Sequence, residues 1–184
     1  MRSMQARPGR RGRGWKRPRI LVLGLGDLYL RDGGGGVHAL RAYASSAPEG
    51  VRLSEAASDL RGMVRLFRRA QKVVAFDSLA AGGDAGTIHV VGIHEAHAVG
   101  TGESFHLVGL TRIMRRLGRR APELIVVAVE PLTTSGGTEL TTPVMSAVPQ
   151  MVRAAQAIVS YWVGSAALEA TPAARYPHGQ PARG

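Results

Sequence analysis

The chain has 184 residues, 45% of them hydrophobic and 20% charged, with no cysteine and a formal net charge of +11. That length suits one domain with a full core, and no apolar stretch nears the roughly 18–20 residues of a membrane span. The absence of cysteine excludes disulfides and thiolate ligands, so any metal must be held by histidine and carboxylate, and the cytoplasm is the expected compartment.

The charge is unevenly placed. Arg2, Arg7, Arg10, Arg11, Arg13, Lys16, Arg17 and Arg19 precede the first apolar run with no acid among them, leaving +3 for the remainder. Residues 1–18 read as a basic, disordered Arg/Gly/Pro-rich tail. The competing reading, an arm that neutralises nucleic-acid phosphates, is the weaker one, because Trp15 is its one side chain able to stack on bases. No apolar core of a signal peptide follows this tail.

The fold begins at Ile20. Ile20-Leu21-Val22-Leu23-Gly24 is continuously apolar, as buried parallel strands are, and Gly24-Leu25-Gly26-Asp27 ends it in a turn. A loop with Asp32 and four glycines, Gly33 to Gly36, leads into a helix whose inward face is expected to be Val37, Leu40, Arg41 and Ala44, with Arg41 snorkelling. A short strand follows at Val51–Leu53. A helix over about Ser58–Ala70 turns Leu60, Val64 and Phe67 inward and Arg61, Arg65, Arg68 and Arg69 to solvent. The third strand, Val73–Phe76, ends at Asp77. A glycine loop (Gly82, Gly83, Gly86) leads to a strand at Thr87–Ile93. A polar loop over 94–105 then reaches a helix of about Leu107–Leu117, with Arg112, Arg115, Arg116 and Arg119 on one side. Leu124–Val129 is the last strand. Thr142-Pro143 opens a final helix, where Val144, Val148, Met151, Ala155, Ile158 and Trp162 recur at heptad-like spacing and Pro149 is a kink site. Residues 165–184 read as a second disordered tail. Strands alternating with helices predict an α/β domain over residues 19–164, a three-layer α/β/α sandwich with a mainly parallel sheet of about five strands.

In such folds the working crevice lies beyond the carboxyl ends of the strands. Asp77 closes an apolar strand, where an ionised carboxylate needs a partner or a cation; the alternative is that it caps the following loop. His106 opens a helix, where a lone histidine is more often a cap or core partner. Together they form an oxygen–nitrogen set suited to a divalent first-row metal. Other motifs are weaker. Gly24-x-Gly26 lacks the third glycine of a dinucleotide fingerprint, because Tyr29 stands there. Gly102-Glu103-Ser104-Phe105-His106 departs from a nucleophile elbow at its last position and follows no strand. His89, His94 and His97 form a loose group; His94 and His97 would share a metal if their loop were helical, but read as solvated loop residues because no third ligand is placed beside them. The arginine faces read as solvated too, with docking of an acidic partner as the lesser alternative.

The order of these features resembles the hydrogenase maturation protease family. The resemblance rests on Ile20-Leu21-Val22-Leu23-Gly24-Leu25-Gly26-Asp27 with Leu30-Arg31-Asp32 and Gly36-Val37, and on Val73-Val74-Ala75-Phe76-Asp77. It continues through Ser104-Phe105-His106-Leu107-Val108-Gly109-Leu110, Leu124–Glu130-Pro131, Leu140-Thr141-Thr142-Pro143-Val144 and Ala147-Val148-Pro149, and spans about Ile20–Trp162. It implies a five-stranded sheet between helices and an endopeptidase that removes the carboxy-terminal tail of a nickel-loaded large-subunit precursor of nickel–iron hydrogenase. It further implies nickel, supplied with the substrate, held by Asp77 and His106. A third, acidic ligand is implied just after Asp32, where this chain has Gly33; water, ligands of the precursor, or movement of Asp32 or His38 are the expected substitutes. Asp27 stands where the family carries Asn, and the family's Gly/Thr-rich segment is absent from Ser54–Asp59. A relative that binds precursor or nickel without cutting is therefore the second expectation.

Overall fold

The computed structural model describes residues 19–56, 60–93, 95 and 105–170. The elements in chain order are β1 (Ile20–Leu25), a 3-10 turn (Arg31–Gly34), α1 (Gly35–Ala44), β2 (Arg52–Ala56), α2 (Leu60–Phe67) and β3 (Lys72–Ser78). They continue with β4 (Ile88–Gly92), α3 (Phe105–Leu117), β5 (Glu123–Val129) and α4 (Thr142–Ala170). The five strands form one sheet in the order β2-β1-β3-β5-β4. All neighbours are parallel except β4, which runs antiparallel to β5 at the edge. Among the described residues, no helix is long and apolar enough to cross a membrane. The basic tail, residues 171–184, His94 and His97 lie outside the described residues.

Strand alternation sorts the apolar residues into two cores. Leu21, Leu23, Leu25, Val73, Ala75, Leu124 and Val126 face α2 and α3, meeting Met63, Phe67, Leu107, Leu110 and Ile113. Ile20, Val22, Val74, Phe76, Val127 and Val129 face α1 and α4. Helices thus cover both faces, the expected three-layer arrangement.

Two helix faces differ from the periodicity reading. In α1 the buried residues include Val37, Ala39, Leu40 and Tyr43, while Arg41 and Ala44 are exposed. Arg41 does not snorkel inward; its Nε and Nη2 donate to the two carboxylate oxygens of Glu55 on β2, at 2.8 and 3.0 Å. An available carboxylate on the neighbouring strand outcompetes an apolar surface for a guanidinium. In α4 the buried positions are Val144, Ala147, Met151, Ala155, Val159 and Trp162, with Val148 and Ile158 only partly covered. The helix packs against both the sheet and α1, which share one core with it, so spacings of three and four set its face and not a strict heptad. It runs unbroken through the exposed Pro149.

The glycine run serves packing. Gly35 and Gly36 already belong to α1, and a Cβ on Gly36 would lie 2.4 Å from the carbonyl oxygens of both Leu25 and Phe76. Only glycine lets the helix start directly on top of the carboxyl ends of β1 and β3.

Candidate metal centre

Each of the three central parallel strands runs out into an acidic residue: Asp27 two residues after β1, Asp77 within the end of β3, and Glu130 directly after β5. Their surroundings differ, and the differences assign their roles.

Glu130 is fully engaged. Its carboxylate accepts from the backbone N–H of Ala81 and Gly82, at 2.9–3.0 Å, and pairs with His89 Nε2 at 3.1 Å. Burial alone would raise its pKa; the backbone donors of Ala81, Gly82 and Gly83 and the His89 ring outweigh burial and hold it below the ordinary value. His89, on the strand expected over Thr87–Ile93, is thereby a partner of a buried carboxylate. The same reasoning that singled out Asp77, an acid closing an apolar strand, applies to Leu124–Glu130 and would have found it.

Asp32 is engaged too. Fully buried in the 3-10 turn, its carboxylate accepts the N–H groups of Leu132, Thr133 and Thr141, at 2.9, 3.2 and 2.8 Å, and the Thr141 hydroxyl at 2.8 Å. Burial works to raise its pKa, and the Thr141, Thr133 and Leu132 bonds prevail to lower it. Its carbonyl accepts the Ser78 hydroxyl beside Asp77. With four donors committed, Asp32 is not available to move into the place of a missing ligand. His38 keeps a buried Nε2 without a hydrogen-bond partner among the described residues, and burial, then the Arg41 charge, lowers its pKa. No described contact joins it to Asp77 or His106.

Asp77 is different. It is 1% exposed, and strand alternation turns it to the same layer as Val73 and Ala75, where α3 begins. That is why it meets His106: Asp77 Oδ1 lies 3.1 Å from His106 Nδ1 and also accepts the Ser78 N–H at 2.9 Å. Thus Asp77 bonds within the end of its own strand and contacts the histidine as well. Its other oxygen, Oδ2, is buried with no hydrogen-bond partner among the described residues. A lone carboxylate oxygen in that state costs about 1–3 kcal/mol or more, and a cation relieves it. The His106 pKa is raised, chiefly by its bond to Asp77 and against burial, with further help from the charges of Asp77 and Asp27. A neutral His106 that donates from Nδ1 to Asp77 carries its lone pair on Nε2. An oxygen and an imidazole nitrogen are a fitting donor pair for a divalent first-row metal. Among the described residues, no three His, Asp or Glu side chains already converge on one point.

Gly33 offers no donor. A Cβ there would meet Leu30 Cβ at 3.0 Å and Thr134 Cγ2 at 3.8 Å, so a larger side chain would press on a partly exposed leucine and not on backbone.

The family model described as hydrogenase maturation protease (HycI) matches residues 37–158. The chain belongs to the hydrogenase maturation protease family. Two curated relatives agree. The hydrogenase expression/formation protein HupD of Rhizobium leguminosarum bv. viciae is 27% identical over 154 residues, covering 79% of this chain and 76% of the relative. HupD of Bradyrhizobium diazoefficiens is 28% identical over 155 residues, covering 78% and 79%. Among solved structures, the hydrogenase maturating endopeptidase HybD from E. coli superposes with a TM-score of 0.71 at 23% identity, covering 78% of this chain and 93% of that one. HybD from Thermococcus kodakarensis, a hydrogenase maturation protease, gives a TM-score of 0.65 at 23% identity, covering 77% and 99%. These structures establish that the maturation-protease fold is shared. Membership of this hydrolase family gives the chain a role in hydrogenase maturation.

Proposed function

We propose that this protein is an endopeptidase that removes the carboxy-terminal tail of a nickel-loaded large-subunit precursor of nickel–iron hydrogenase in the cytoplasm. The observation that supports this reading is the buried Asp77 Oδ2, without a partner among the described residues, beside a histidine whose Nδ1 is held by the same carboxylate. Nickel arrives within the precursor as part of the substrate, and when bound it polarises the scissile carbonyl as a Lewis acid.

The chain's own residues do the rest. Asp77 and His106 would hold the precursor's nickel, and the Asp77–His106 bond fixes the ring orientation. Asp32 and Glu130 hold the loops at the carboxyl ends of the strands, so the site is presented on a rigid floor. Neither Asp77 nor His106 acts as a nucleophile; water is the attacking group. Discrimination between loaded and unloaded precursor follows, because only the loaded precursor carries a cation for Asp77.

Gly33 favours a second reading, a relative that binds precursor or nickel without cleaving. Incubating the purified chain with nickel-loaded and with nickel-free precursor, followed by intact-mass measurement, separates the two. Loss of the tail only from loaded precursor is the expected result. Binding of precursor with no cleavage in either case establishes the non-catalytic reading and overturns the first.

A further inference from the structure

If nickel is held as proposed above, Asp77 provides one negative charge against a dication, and a partly buried dication favours fuller neutralisation. The protein has no side chain at 33 to supply it. Asp27 stands next to that vacancy in the backbone: its N–H donates to the Gly33 carbonyl at 3.2 Å. It follows β1 by two residues, and Leu21, Leu23 and Leu25 of β1 face the same layer as Asp77 and α3. Its Oδ1 accepts the Tyr29 N–H at 2.8 Å, closing an Asx turn, and its other oxygen has no hydrogen bond to a described residue. Of the three acids at the strand ends, Glu130 is saturated by donors, whereas Asp77 and Asp27 each retain an oxygen. The buried Asp77 Oδ2 marks where a cation is wanted; Asp27 is an exposed carboxylate whose charge already acts on His106.

We propose that Asp27 supplies the third acidic group of this cation site, in place of the side chain that Gly33 lacks. Asp27 is exposed, and in the proposed site its side chain turns toward the cation by rotation about χ1 and χ2. The third donor has moved from the 3-10 turn to the end of the strand beside it. This inference rests on the reading of Asp77 and His106 as nickel donors, and its test separates the two.

Full-length protein without an affinity tag is titrated with Ni²⁺ alone by calorimetry at pH 7.5. The wild type is expected to bind one equivalent, and Asp77→Asn with His106→Gln to abolish it. Asp27→Asn keeps an acceptor for the Tyr29 N–H, so the turn persists and the urea midpoint stays unchanged. It is expected to weaken Ni²⁺ binding roughly tenfold or more. Adding Gly33→Glu to Asp27→Asn is expected to restore binding. A wild type that does not bind, or binding that survives loss of both Asp77 and His106, overturns the nickel reading and this inference with it. Wild-type binding that depends on Asp77 and His106 yet is equally tight in Asp27→Asn overturns this inference alone.

Discussion

The carboxylate of Asp32 receives both the backbone N–H and the hydroxyl of Thr141, 109 residues further along the chain, each at 2.8 Å. Together with the Leu132 and Thr133 donors, this joins the loop after β1 to the loop after β5 and sets the start of α4. Asp32→Asn replaces one accepting oxygen by a donor facing donors. It is expected to destabilise the fold by about 2–4 kcal/mol, while Thr141→Val, which removes only the hydroxyl bond, is expected to cost about 1–2 kcal/mol. Urea denaturation of both variants checks the order; equal midpoints for wild type and Asp32→Asn would refute the clamp.

Acid sensitivity should follow from Asp32 and Glu130. Both have folded pKa values below their ordinary 3.8 and 4.5, so the unfolded chain takes up protons first. Their stabilising contributions are complete above that range and decline as pH falls through it toward the folded values. Unfolding free energy measured between pH 6 and pH 3 should drop, with a shallower slope in Asp32→Asn. A slope identical to wild type would contradict the assignment.

His106 has the opposite sign. Its folded pKa lies above 6.5, so the charged pair with Asp77 contributes stability in full below 6.5 and loses it as pH rises through the folded value. NMR titration of the His106 ring should give a midpoint above 6.5 in the wild type. In Asp77→Asn burial remains while the ionic bond is gone, and the midpoint should move downward. An unchanged midpoint would show that Asp77 is not the cause.

Gly36→Ala tests the glycine start of α1. The added methyl would fall 2.4 Å from two strand carbonyls, so the helix must lift from the sheet. A loss of about 1–3 kcal/mol is expected, along with poorer cleavage of loaded precursor, since α1 and the 3-10 turn overlie the carboxyl ends of β1 and β3. A thermal midpoint equal to wild type would sink this account.

The parallel core and its layer order were legible in the sequence because Ile20–Leu23, Val73–Phe76 and Leu124–Val129 are continuous apolar runs separated by helical periodicity. The pairing of residues 77 and 106 was suggested by position and residue type, and the geometry brings them into contact. Other features were not legible. The acceptor roles of Asp32 and Glu130 depend on backbone donors, which have no sequence signature. Arg41 was misassigned because Glu55 lies on another strand, and periodicity within one helix carries no information about a neighbour. The apolar pattern marks the second strand at Val51–Leu53, whereas β2 extends over Arg52–Ala56; its polar residues Ser54 and Glu55 hide its length at an edge that one partner alone covers.

The strand order also constrains how the molecule comes into being on the ribosome. β5 is made last, yet it is hydrogen-bonded to both β3 and β4. Until residues 123–129 have emerged from the exit tunnel, β4 has no companion in the sheet and β3, bearing Asp77, is flanked on one side only. A prematurely terminated product that stops short of that segment would lack the strand that pairs with β3 alongside Asp77, so the acidic end of the sheet is completed only late in synthesis.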